Sequence, residues 1–176
     1  MKLPRVPLRR VVRSRALPWA LTVVAVVGTV LFFVLWRGAK AEEARREEVG
    51  EVSRSFLMAL TNFEANTIED DVAEIRAFAT GEFADEVEET FSDERVQAIR
   101  DSQAESVGEV RSVFVQEIEG ATASVFGVVD EEITNESTAV PRSETLRIEV
   151  GLIRTTEGWK VATVEVLQSP GSGLAG

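Results

Sequence analysis

Asp130, Glu131 and Glu132 stand together near the end of a β-branched run, and three adjacent carboxylates could do chemistry. They could act as a general base, or hold a hard cation through their oxygens. An acidic run at a strand end is ordinarily a solvated edge, however, and no neighbouring loop supplies the alternating oxygen ligands and glycine of a calcium site. The 176 residues contain no histidine, cysteine or tyrosine. That removes thiol and imidazole nucleophiles, histidine-bound zinc and any tyrosine acid. No catalytic, cofactor-binding or metal-binding residue is therefore assigned, and the chain reads as non-enzymatic. Without cysteine its stability must come from packing alone.

The acidic run belongs to the second half of the chain, where the pattern is that of strands. Glu109–Glu119, Ala121–Ile133, Glu144–Arg154 and Trp159–Leu167 are rich in β-branched residues and separated by Gly, Asn, Pro and Ser. The spacing predicts four antiparallel strands. Tight hairpins are expected at Glu119-Gly120 and Thr156-Glu157-Gly158, and a longer connection over Asn135–Ser143, which contains Pro141. Leu146, Ile148, Val150 and Leu152 point to one face and Arg147 and Glu149 to the other, so one face is buried. Trp159, opening the last strand, reads as a core plug.

Helices must cover that apolar face. Val49, Val52, Phe56, Leu60 and Phe63 follow the three-and-four spacing of one buried stripe. Thr67 followed by Asp70 resembles a capping box before a second helix, with Val72, Ile75 and Phe78 or Ala79 inward and Gly81 as its stop. Phe83, Val87 and Phe91 mark a further amphipathic stretch, and Ser92-Asp93-Glu94 a cap leading to Val96 and Ile99. Helices followed by strands give an α+β class, with about three helices packed on one side of a curved four-stranded antiparallel sheet.

Ahead of this domain, Leu17–Trp36 runs for twenty residues without a charge. As a helix it reaches roughly 30 Å, the thickness of the hydrocarbon core of a bilayer. Six basic residues, among them Arg13 and Arg15, precede it with no acid, which marks the cytoplasmic side. Beyond Trp36 stand 13 basic and 30 acidic residues, a net of −17, so that part is expected outside. Trp19 and Trp36 lie about 25 Å apart along a helix, suited to the two headgroup layers.

The expected organisation is a basic cytoplasmic tail (1–16), a single transmembrane helix (17–36), a charged juxtamembrane helix (37–48), an extracytoplasmic α+β domain (49–168) and a flexible end (169–176). The competing reading is a cleaved signal peptide, for which Ala39-Lys40-Ala41 offers a small-x-small site. Length argues for the span, since a signal core is about 7–15 residues. So acidic a domain is a poor partner for nucleic acid. Gly28 has no second small residue on its face, so no helix-pairing motif is read in the span.

The basic tail, the span, the charged helix, Ala79-Thr80-Gly81-Glu82-Phe83, the Gly108-centred entry to the first strand and Gly158-Trp159-Lys160-Val161 occur in that order. In this order and spacing the chain resembles the Mce-associated membrane proteins of actinobacteria. A scaffold family of type IV secretion systems shares the plan. The resemblance implies an ectodomain with the fold of nuclear transport factor 2, and a role as an accessory or scaffold subunit of a Mce lipid or sterol import complex in the cell envelope. Three alternatives stay open. One is an inner-membrane scaffold of a type IV secretion or conjugation system. Another is a cone that binds an apolar lipid or sterol. The third is an enzyme like the ketosteroid isomerases, whose enolate-holding tyrosine this chain lacks. No cofactor is expected.

Overall fold

From Ala16 to Thr61 the chain winds into one helix, α1, because its only proline, Pro18, falls in the first turn, where a missing N–H costs little. The computed structural model describes residues 16–136 and 138–168. It forms two units, Met1–Glu43 and Ala44–Gly176. Arg13, Arg15 and the end at 169–176 lie outside the described residues, as do the side chains of 16–26, Trp19 included. Among the described residues no helix is long and apolar enough to cross a membrane, so the expectation for Leu17–Trp36 rests on the sequence.

In the second unit α1 is followed by β1 (Phe63–Glu64), α2 (Ile68–Phe78), α3 (Glu82–Thr90), α4 (Asp93–Asp101), β2 (Glu105–Glu119), β3 (Thr122–Asn135), β4 (Thr138–Thr155) and β5 (Gly158–Gln168). The strands form one antiparallel sheet in sequence order, a curled half-barrel. Register shifts at Val110/Ser112 and Val115/Glu117 in β2, and in β5 opposite Gly151/Leu152, bend it. The sheet therefore has five strands rather than four. The additional one, β1, is too short for any period to reveal, and it pairs Phe63 with Ser106 and Glu64 with Glu105.

Asn135–Ser143 is not a long connection. Asn135 pairs with Thr138, and β4 already includes Pro141. Among the described residues β4 is an edge over this stretch: it pairs with β3, and its pairs with β5 run from Arg147 onward. A proline without an N–H is tolerated on such an edge.

Helices α1, α2 and α3 lie against the inner face. Val49, Phe56 and Leu57 are fully buried, with Val52 and Leu60 packed beside them. Phe56 meets Phe83 and Phe78 edge-on, with ring centroids 5.7 and 6.0 Å away, geometry that adds about 0.5–1.5 kcal/mol per pair beyond burial. Two glycines let α1 come close. A Cβ on Gly127 would lie 2.4 Å from Leu57 Cδ1, and one on Gly108 would lie 2.0 Å from Thr61 Oγ1.

Several expected ends shift. Thr67 precedes α2, but its hydroxyl donates to Asp71 Oδ2 at 3.0 Å and no capping box forms. Gly81 does not stop α2. The helix ends at Phe78 because Thr80 N–H donates to Val161 O at 2.9 Å, drawing Ala79 into a parallel bridge with β5. Gly81, at φ 60°, opens α3 instead. Ser92 stands at the start of α4 without a side-chain capping bond, and α4 buries no residue.

Candidate functional site

Strand alternation splits the acidic run. Asp130 and Glu132 share the outer face with Val107 and Glu109, their register partners on β2, and with Thr145 and Ser143 on β4. These six line an open groove of about 630 Å³, to which Glu131 and Glu144 also contribute. Asp130 is occupied: Thr145 Oγ1 donates to Oδ1 at 2.7 Å, and Arg111 forks onto Oδ2 through Nε and Nη2. The Thr145 bond is the largest influence and lowers the Asp130 pKa; desolvation opposes it, and the Arg111 bond and charge lower it further. A carboxylate held in this way is a poor base. The groove presents charge and hydroxyls, whereas the apolar side chains between α1 and the sheet pack on one another.

Glu131 points the other way and is buried, continuing the inward row of Val125, Gly127 and Val129. Its Oε1 lies 2.6 Å from the hydroxyl of buried Ser106, which is also 2.9 Å from the carbonyl oxygen of Thr61 at the end of α1. Burial raises the Glu131 pKa. The Ser106 bond opposes this, facing Glu144 adds to it, and Arg142 relieves part of that. Ser106 and Thr61 escape sequence reasoning because hydroxyl residues carry no pattern of their own. The period-two row ending in Glu131 was the available signal.

Ala79–Phe83 and Gly158–Val161 meet in space. Ala79 bridges Val161, Lys160 Nζ donates to Ala77 O at 2.7 Å at the end of α2, and Phe83 and Trp159 share one core. Gly108, centre of the third motif, receives Thr61. Trp159 is buried as expected, with the Arg154 guanidinium 5.6 Å from its ring centroid and Arg154 in turn 3.3 Å from Glu48. These motifs are joints of the fold.

Of the expected anchor residues, the described side chain is that of Trp36, half exposed, with Lys40 Nζ 4.9 Å from its ring centroid and Phe33 at 6.3 Å. Phe32 is more exposed still.

The sequence model of the family described as "Uncharacterized protein Rv1363c/MT1408-like" matches residues 11–168, from the basic tail through β5. The chain belongs to this family. No curated protein matches it. Among solved structures, this Rv1363c/MT1408-like chain is similar to an IcmL-like type IV secretion system protein of Legionella pneumophila. There the TM-score is 0.59 at 8% identity, over 70% of this chain and 92% of that one. It is similar also to VirB8 of Agrobacterium tumefaciens, with TM-score 0.56 at 9% identity over 70% and 91%. CagV of Helicobacter pylori, a VirB8 homologue, gives 0.52 at 13% over 69% and 99%. At these identities the likeness is one of fold: the Rv1363c/MT1408-like domain is built as the VirB8-type domains are.

Proposed function

We propose that this Rv1363c/MT1408-like protein is a membrane-anchored, non-catalytic scaffold subunit of a multi-protein assembly in the cell envelope. Leu17–Trp36 is its single span, the basic tail lies inside, and the acidic domain lies outside. The observation that carries the reading is the shared fold with type IV secretion components over about two thirds of the chain. The engagement of Asp130 by Arg111 and Thr145 agrees with a domain that binds rather than catalyses. An inner-membrane scaffold of a secretion or conjugation system is the reading favoured by that fold.

The accessory subunit of a Mce-type lipid importer is the second reading, favoured by the ordered motifs at 79–83, 108 and 158–161. Because those residues are joints of the fold, they speak for shared architecture more than for shared cargo. Crosslinking in cells, followed by purification in mild detergent, separates the two. Recovery with a conjugation-type ATPase supports the secretion scaffold, and recovery with permease and substrate-binding subunits supports the importer. Repeated recovery of the protein alone would overturn both.

A further inference from the structure

The seat of α1 holds a mismatch between protons and acceptors. The Ser106 hydroxyl has one proton, yet it faces the Thr61 carbonyl oxygen at 2.9 Å and Glu131 Oε1 at 2.6 Å. Thr61 ends α1, so its carbonyl has no partner within the helix and carries the negative end of the helix dipole. With Glu131 ionised, two acceptors would compete for one donor in a buried place. A proton on Glu131 removes the conflict: Glu131 donates to Ser106 Oγ, and Ser106 donates to Thr61 O. We propose that Glu131 keeps its proton in the folded protein and that this proton completes a relay from β3 through β2 to the end of α1.

The charged groups facing Glu131 are on β4. Glu144 is its direct register partner, and Arg142 stands 3.5 Å from Glu144 Oε1. Like charges directly opposite across a sheet are unfavourable, so Glu144 also favours the protonated form. Ser106 of β2 and the Thr61 carbonyl of α1 bring no charge. The raised pKa of Glu131 runs in the same direction. Above the ordinary carboxylate range the folded protein then binds more protons than the unfolded chain. The stability from the relay is complete in acid and is lost as pH rises through the folded pKa, loosening the last turn of α1.

The test uses the full chain in detergent and compares thermal midpoints of the wild type and Glu131→Gln across pH. Glutamine offers an N–H where the acid offers an O–H, so it keeps the relay and removes the titration. The midpoints should agree at about pH 4, and the variant should melt about 2–4 °C higher by about pH 8. A gap that stays constant with pH, or favours the wild type as pH rises, overturns the proposal. Should Glu131→Gln fail to fold, infrared spectra of the wild type decide. A protonated-carboxyl band at about pH 7 that shifts in Ser106→Ala supports the relay, and its absence overturns it.

Discussion

Asn62 takes both backbone polar atoms of Gly108: Gly108 N–H donates to Asn62 Oδ1 at 3.1 Å, and Asn62 Nδ2 donates to Gly108 O at 3.2 Å. The same Nδ2 donates to Met58 O at 2.8 Å in the last turn of α1. One amide therefore extends the β1–β2 ladder by a residue while closing the helix end. It does so beside the glycine that receives Thr61.

Replacing Asn62 with alanine leaves the N–H and carbonyl of Gly108 without these partners, while Met58 O keeps the backbone N–H of residue 62 at 3.0 Å. The expected loss is roughly 1–3 kcal/mol, because unpaired, part-buried backbone groups cost more than the net value of a bond. Chemical denaturation of the full chain checks it. Asn62→Asp, which keeps an acceptor and loses the donor, should fall between.

Gly127→Ala drives a methyl to within 2.4 Å of fully buried Leu57. Overpacking of this kind costs roughly 1–3 kcal/mol, and Leu57→Ala alone roughly 2–5 kcal/mol through its cavity. The double variant should lose less than the two single losses together, since each change accommodates the other. Strict additivity in denaturant titrations would deny the contact.

Asp130 has a lowered pKa, so its contribution to stability is present above the ordinary carboxylate range and disappears as pH falls through the folded value. The difference in thermal midpoint between wild type and Asp130→Asn should be largest near neutrality and close in acid. Thr145→Val, which removes the stronger influence, should raise the Asp130 pKa. Carboxyl carbon NMR titration reads that shift directly.

Much of the architecture was legible because burial leaves a period. The stripe of Val49, Val52, Phe56 and Leu60 named the buried face of α1, though its last expected member, Phe63, lies in β1, and the alternation from Leu146 to Leu152 named that of β4. β1 was not legible, since two residues cannot show alternation. Pro141 misled because its tolerance depends on which strands flank β4 there, a fact of the sheet rather than of the local sequence. The acidic run misled as well: three neighbouring acids read as one solvated edge, while alternation sends Glu131 inward and its neighbours outward. The polar joints of Asn62, Ser106 and Thr61 join residues more than forty positions apart and carry no local mark.

The outer edge of β2 is guarded from α1. Arg54 Nη1 donates to Val110 O at 3.2 Å and Arg46 Nη1 to Val115 O at 3.5 Å, occupying carbonyls that another strand could bind. Arg46→Ala with Arg54→Ala should expose that edge and raise self-association. Sedimentation velocity in detergent should show larger species for the double alanine variant and none for the double lysine variant. Equal behaviour of all three proteins would remove the guarding role.

Leu57 and Thr61 are one helical turn apart, while the glycines that receive them, Gly127 and Gly108, lie on neighbouring strands. Two points fix a line, so the pair sets both the azimuth of the helix and its axial position. A single-residue insertion between Leu57 and Thr61 would turn one side chain about 100° out of phase with its pit. An insertion before Val49 leaves both contacts in phase. Tolerance to length change should therefore be lowest over this one turn, where a single insertion breaks one of the two glycine contacts.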